Sequence, residues 1–356
     1  RRGHAGAGAG VRRGGVPQLP GRPRRGLHGR GARPRAGGLS DRRHCPACGG
    51  RLAPWLTAPA WTGRGAGACE LARCERCGTA VTLDCTPPAA DAAAGPGGAG
   101  AVAHEPAPRG ARLAAPALAA FDRRRLRLLR RHAPPPARLL DAGAGRGRFV
   151  LAARRVGYDA EGIELDPARA AAAAAAGAPV RAAGIEDADV EAASLDALTC
   201  WHVLEHVADP AAAAARLARW LRPGGVAVVG APNLASLQAR VGGARWYHLD
   251  LPRHRTHFTA AGLRTLLRRH GLVPIATHHV LAEHNAYGMW QSLVNRIAPT
   301  PSYLFRLLKR ESPPRAGEIA LSAVAAPLLP VAAVVELGAG LARRGGTVAV
   351  VARRRP

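Results

Sequence analysis

One stretch, RLLDAGAGRGRFVLAARRVGYDAEGIELDP at residues 138 to 167, restricts the fold of this chain more than any other. A short apolar run leads into Gly143, Gly145 and Gly147, a helical pattern follows, and a second short run ends at Glu164. Glycines between a strand and a helix allow positive φ and carry no Cβ, so backbone amides can approach a ligand closely and the helix can start tight against its strand. In a parallel sheet such a turn lies beyond the carboxyl end of the first strand, where ligands bind. A strand-to-helix turn with no ligand is the plainer alternative. A dinucleotide fingerprint would set its third glycine at position 148, where Arg148 stands. Glu164, at the end of the second strand, is placed to accept both hydroxyls of a ribose, or else to be a solvated strand-end carboxylate.

The surrounding pattern agrees. The runs ARLLDAG, YDAEGIEL, PVRAAGI, LDALTCWHV and GVAVVGAP are short and strand-like. Helical stretches lie between them at 147–157, 168–176 and 210–221. Asp166-Pro167 and Asp209-Pro210 each set an N-cap before a proline at the first helical position, and Gly224 and Gly225 are expected to end a helix. Alternating strands and helices predict an α/β doubly wound, mostly parallel sheet.

The run from Asp141 through Gly143, Gly145 and Gly147 resembles the first motif of class I S-adenosylmethionine-dependent methyltransferases. LDALTCWHVLEHVADP (195–210), RWLRPGGVAVVGAPN (219–233) and WYHLDLPRHRTHFTAAGLRTLLRRHGL (246–272) resemble later motifs of the branch related to ubiquinone O-methyltransferases. The resemblance implies a Rossmann-like seven-stranded sheet whose last strand, GTVAVVARR at 346–354, is antiparallel. It further implies Ile185 and Glu186 near the adenine, and Trp201 and His202 flanking the methionine end. Ala144 stands where many relatives carry Cys, a conservative departure.

Methyl transfer from a sulfonium is an in-line displacement, governed by alignment, with a base needed only if the nucleophile must lose a proton. His202 and His206 flank Glu205 in WHVLEH, and His254 and His257 stand in PRHRTHFT on a loop that the resemblance places over the site. His202, His206 and His254 are the candidate bases. Each has a plainer reading as a local cap, a local pair or a loop-locking hydrogen-bond donor.

CPACGG at 45–50 and CERCGT at 74–79 are two C-x-x-C knuckles, each followed by Gly. Four thiolates suit tetrahedral zinc, so Cys45, Cys48, Cys74 and Cys77 are predicted to hold a structural ion in a zinc ribbon with no open coordination position. Cys69 and Cys85 are alternative ligands or reduced thiols. Some members of the resembled branch carry a similar N-terminal ribbon, with substrate docking or lid support as its expected role.

The net charge of +27 invites a nucleic-acid reading. The basic residues are nearly all Arg, Lys309 being the one Lys, and Ala and Gly abound, so part of the charge reflects codon usage. The basic residues are also spread along the chain, aromatic side chains for stacking bases are few, and an N-P-P-[YF] motif is absent. Residues 1–44, rich in Arg, Gly and Pro, are expected to be disordered, as a fragment end or mis-set start rather than a functional arm. They lack the apolar core of a secretory signal, so the expected location is cytoplasmic, where metal or free thiol is favoured over disulfide.

The expected organisation is a tail (1–44), a zinc-ribbon module (45–88), a linker (89–111) and a catalytic domain (112–356) with an apolar insertion at about 282–345. Within the insertion, IALSAVAAPLLPVAAVV at 319–335 is interrupted by Pro327 and Pro330. It is read first as a broken helix packed on the domain or a partner. Peripheral membrane contact is the next reading, supported by flanking Arg306, Lys309, Arg310, Arg315, Arg343 and Arg344, and a membrane span comes last. The sequence therefore predicts an S-adenosylmethionine-dependent methyltransferase with structural zinc, acting on a small-molecule or cell-envelope acceptor of saccharide type, most simply at oxygen. Its competitors are a zinc-ribbon RNA-binding protein or RNA methyltransferase, a nicotinamide-dependent oxidoreductase, and a catalytically inactive relative.

Overall fold

The structure, a computed structural model, describes residues 43–62, 65–86, 111–281, 285–309 and 311–356. The expected tail, apart from Arg43 and His44, and nearly all of the expected linker lie outside these residues. His44 pairs with Arg51 in an isolated bridge.

Three antiparallel strands come first: β1 (Leu52–Thr62), β2 (Gly65–Cys74) and β3 (Ala80–Thr86). Helix α1 (Ala111–Arg130) then leads into β4 (Arg138–Ala142), α2 (Arg148–Arg155), β5 (Asp159–Glu164), α3 (Pro167–Ala175) and β6 (Val180–Ala182). After these come β7 (Leu195–Trp201), α4 (Pro210–Trp220), β8 (Leu221–Pro232), α5 (Leu237–Gly242), β9 (Thr256–His257), α6 (Ala260–Arg269) and β10 (Leu272–His278). The chain closes with α7 (Asn285–Val294), α8 (Tyr303–Leu308), α9 (Ala316–Ala325), α10 (Leu329–Leu341) and β11 (Thr347–Arg354).

The large sheet has seven strands in the order β10-β11-β8-β7-β4-β5-β6, with β11 antiparallel to both neighbours, as the resemblance implies. Strand β4 sits between β5 and β7 with both pairings parallel, so the chain reverses direction across the sheet at this strand and opens a crevice beyond its carboxyl end. Side-chain alternation builds one core on each face. Leu139, Ala197, Val228 and Val351 pack with Phe149 and Leu129 on the side of α1 and α2, whereas Leu140, Leu198, Val229 and Val350 pack with Leu217 and Leu266 on the side of α4 and α6. Asp166 and Asp209 cap α3 and α4 as expected, each accepting from two backbone amides.

Two local expectations are corrected. Gly224 and Gly225 do not end α4: the helix stops at Trp220, Leu221 already pairs with Leu195, and the glycines occupy an irregularity before Val226 pairs with Ala197. Gly224 has a φ of 78°, and a Cβ on Gly225 would stand 2.9 Å from the Arg222 carbonyl oxygen. The apolar insertion is interrupted at its prolines as expected, though only by one short 3₁₀ stretch. Pro327 and Pro330 each fall in a first turn, where a missing N–H costs no bond, and the short 3₁₀ stretch Ala326–Leu328 joins α9 to α10 in one helical rod, 316–341. That rod is, however, not buried on the domain: 22% of its most apolar window is covered. Its inner side is fixed by Trp290 Nε1 donating to the Ala325 carbonyl at 2.7 Å and by the Gly346 amide donating to Glu336 at 2.6 Å.

The small sheet runs β1-β2-β3-β9, so the two residues of β9 extend the cysteine-rich module into the main fold. Thr259 Oγ1 donates to the Cys77 carbonyl at 2.6 Å, and a side chain on Gly262 of α6 would collide with Thr79.

Candidate functional site

The glycine turn is built as its spacing implies. Gly143, Gly145 and Gly147 have φ of 82°, 56° and 73°, a region that favours glycine. A Cβ at Gly143 would strike Val203, and one at Gly147 would strike Ala178, so these two positions are closed by packing. At Gly145 a Cβ would meet nothing within 4 Å. The loop therefore offers one open cradle between two tightly seated neighbours.

Glu164, buried at 8% exposure, borders that cradle. Its Oε2 accepts from the Gly145 amide at 2.8 Å and its Oε1 from the Asp166 amide at 3.0 Å. Each oxygen keeps a further lone pair, so a fixed carboxylate is presented to a diol. Asp141 plays an internal part: its Oδ1 accepts from Arg125 at 2.8 Å and from Thr199 at 2.5 Å, tying α1 and β7 to the start of the turn. Ile185 is buried and Glu186 is exposed, both after β6. Trp201 is buried edge-on to Phe121, with the Arg125 guanidinium 5.2 Å from its ring centre, so its ring belongs to the wall under α1. Arg125 and Phe121 were not foreseen, and α1 carries no motif that would have marked them. The cradle, the diol-ready carboxylate and the apolar Ile185 together suit a nucleoside bearing a charged tail, which S-adenosylmethionine is.

Beyond β7 lies a cavity lined by His202, Tyr247, His248, Asp250, His254, Phe305, Arg306 and Glu311, among others. His202 has a φ of 54°, unusual for a residue other than glycine. Its Nδ1 lies 2.9 Å from Oε1 of Glu205, which is 1% exposed. Burial alone would raise the Glu205 pKa, but the His202 hydrogen bond and the charges of His202, His206 and His254 outweigh it and bring the value below normal. His254 is buried and its Nδ1 donates to the His248 carbonyl at 2.8 Å, which fixes that nitrogen as N–H. Burial, reinforced by the nearby His206, lowers its pKa to about 4.

The four predicted histidines thus separate. His202 and His254 line the cavity. His206 is exposed, with its ring 4.6 Å from that of His254. His257 belongs to the module interface, its Nε2 3.0 Å from Thr82 Oγ1, which itself donates to the His254 carbonyl. Tyr247, His248, Asp250, Phe305 and Arg306 were missed, because they converge only when α8 folds back over the 246–254 loop.

Cys45, Cys48, Cys74 and Cys77 come together as predicted, with Cys45 and Cys77 sulfurs 3.6 Å apart and Cys48 and Cys74 sulfurs 3.4 Å apart. Those separations suit a tetrahedral ion with Zn–S bonds of about 2.3 Å. Gly49 and Gly78, each just after a knuckle, share a φ of 72°, and a Cβ on Gly50 would sit 3.0 Å from the Cys74 sulfur. The hydrogen bond between Cys45 and Cys77 pulls the Cys77 thiol down and pushes the Cys45 thiol up. The expectation for the other pair is overturned: Cys69 and Cys85 are neither ligands nor free thiols but a disulfide. They stand directly opposite each other on β2 and β3, Cα atoms 4.0 Å apart, and that register brings their sulfurs together.

A family described as a methyltransferase domain matches residues 113–277. The ubiquinone biosynthesis O-methyltransferase of Xanthomonas oryzae pv. oryzae (strain PXO99A) is 34% identical over 131 residues, 34% of this chain and 55% of the relative. That of Xylella fastidiosa (strain 9a5c) is 35% identical over 149 residues, 38% of this chain and 61% of the relative. The chain thus spans less than two thirds of the length of these curated relatives. Among solved structures, the Burkholderia thailandensis 1,6-didemethyltoxoflavin-N1-methyltransferase with bound S-adenosylhomocysteine is similar at 18% identity and a TM-score of 0.40, over 78% of this chain and 96% of that one.

Proposed function

We propose, from the premise that residues 113–277 are a class I S-adenosylmethionine-dependent methyltransferase domain, that this chain moves a methyl group to an oxygen of an acceptor seated in the cavity beyond β7. The open cradle at Gly145 beside the anchored Glu164 carboxylate carries the reading. Bound S-adenosylmethionine supplies an electrophilic methyl group. Glu164 accepts its ribose hydroxyls, Gly145, held open between the tightly packed Gly143 and Gly147, admits its tail, and Ile185 and Glu186 flank its base. Trp201, packed under Phe121, supports the wall on the methionine side.

Chemistry at oxygen requires the acceptor hydroxyl to lose its proton. His202, turned by its left-handed backbone and held through Nδ1 by Glu205, presents Nε2 as the base. His254 and Arg306 bound the acceptor on the far side, Arg306 being held within 3.8 Å of Glu311. The ribbon braces this wall through β9, which begins two residues after His254.

The surface that meets a partner is the rod 316–341, and the partner we assign to it is an anionic bilayer. Twelve of the sixteen large exposed apolar side chains among the described residues fall between 293 and 341, Val324, Val334 and Leu341 being more than 70% exposed. Arg315 at one end and Arg343 and Arg344 at the other complement lipid phosphates. Helix α8, which contributes Phe305 and Arg306 to the cavity, leads into this rod, so the reading favours a cell-envelope acceptor met at the cytoplasmic membrane face.

Calorimetric titration with S-adenosylmethionine tests the core of the proposal. Micromolar binding that Glu164→Ala abolishes is the expected result, and no binding by folded, zinc-loaded protein would sink it in favour of an inactive relative or an RNA-binding module.

A further inference from the structure

We infer that the Cys69–Cys85 disulfide is a reducible clamp on residues 246–251, the loop whose other side lines the cavity beyond β7, and that a dithiol reductant releases it. The bond joins residues that stand opposite each other on β2 and β3. It holds a weak end of the small sheet. The ladder between these strands is regular from Arg73 to Leu71, breaks between Leu71 and Cys69, and resumes only for Cys69 with Cys85 and Ala68 with Thr86.

What this end supports is the loop. Cys69, fully buried, belongs to one apolar cluster with Trp246, Leu249 and Leu251, and half-buried Cys85 packs against the same cluster. The residues between them in the loop face the other way: Tyr247, His248 and Asp250 line the cavity. Close-packed interiors transmit small shifts from one side chain to the next, so the bond sets this stretch of the cavity wall from behind. It does so away from Cys74, at which β2 ends, and from the separate attachment that β9 and Thr259 make beside the thiolate cluster.

Two features make the bond a switch rather than a staple. Its sequence separation is 16 residues, and within that span Cys74 and Cys77 are already gathered with Cys45 and Cys48 in the thiolate cluster. Closing a segment that the cluster already closes removes little further chain entropy, so the fold does not depend on this bond. Access is also one-sided, because Cys85 is half-buried while Cys69 is sealed. A thiolate of the reductant attacks the Cys85 sulfur, the S–S bond breaks, and its electron pair leaves on the Cys69 sulfur, which takes up a proton. The reductant's second thiolate then attacks the mixed disulfide, Cys85 leaves and is protonated, and the reductant departs as its own disulfide. The consequence for catalysis rests on the methyl-transfer reading: reduction raises the KM for the acceptor and leaves the S-adenosylmethionine Kd unchanged.

The test is amide hydrogen exchange on the full, zinc-loaded chain with and without dithiothreitol, with bound zinc quantified on the same samples. Dithiothreitol is expected to reduce the pair in the folded protein and to raise exchange at residues 246–251 by at least about tenfold, while the amides of β4 and the zinc content stay unchanged. Cys85→Ser, which spares all four cysteines of the cluster, is expected to show the raised exchange without reductant and no further rise with it. A pair that resists dithiothreitol in the folded protein, or exchange at 246–251 that neither reduction nor Cys85→Ser alters, overturns the clamp. The measurement needs neither S-adenosylmethionine nor an acceptor, so its failure and the failure of the methyl-transfer reading are distinguishable.

Discussion

The glycine turn and the cavity beyond β7 lie near the same strand ends, yet they are assembled in opposite ways. The turn draws Asp141, Gly143, Gly145, Gly147 and Glu164 from one continuous strand-helix-strand unit, and backbone geometry does most of its work. The cavity gathers His202 from the end of β7, Tyr247 to His254 from an irregular loop, and Phe305 and Arg306 from α8, about a hundred residues later. One site is fixed by local conformation and the other by tertiary packing, so mutations should affect them differently.

The sharpest way to break the contrast is Glu164→Ala. Losing two charge-assisted hydrogen bonds to the ribose should raise the S-adenosylmethionine Kd by about a hundredfold or more in calorimetry. If the affinity holds, the turn is structural and the comparison collapses. His202→Gln should do the reverse, lowering kcat by about a hundredfold while leaving that Kd unchanged, as measured by single-turnover methyl transfer alongside titration. A smaller effect is expected outside both sites. Val331→Asp with Val334→Asp should cut partition onto anionic vesicles by at least about tenfold in flotation, with S-adenosylmethionine affinity retained. Asp209→Ala, which removes the cap of α4, should cost only about 1 kcal/mol in denaturant unfolding and touch neither site.

What could be read in the sequence follows the same division. Periodicity and capping residues placed β4 through β8 and the helices between them, because Asp-Pro caps and glycine turns act within a few residues. The four cysteine ligands were legible for the same reason: each knuckle is a local turn that fixes two sulfurs. Gly224 and Gly225 misled because a glycine that ends a helix and one that relieves a strand irregularity look alike without a pairing partner. Cys69 and Cys85 misled because their pairing depends on the register between β2 and β3, which neither strand reveals alone. Arg125, Phe305 and Arg306 carried no signal, since their roles exist only once α1 closes over the sheet and α8 over the 246–254 loop. Glu205 stood in plain view between two histidines, but only its burial with one oxygen unsatisfied distinguishes it from a surface carboxylate.

Strand β9 is only two residues long, yet it decides how the molecule comes apart. Its pairing with β3, the Thr82 bonds to His254 and His257, and the Thr79 side chain seated against Gly262 place the cysteine module and the loop over the cavity in one cooperative unit. Ion affinity for the thiolates is then linked to the opening free energy of that loop. Stripping zinc should raise hydrogen exchange at residues 250–259, while amides of β4 and β7 stay protected, so the ion would act as a remote latch on the wall of the cavity beyond β7.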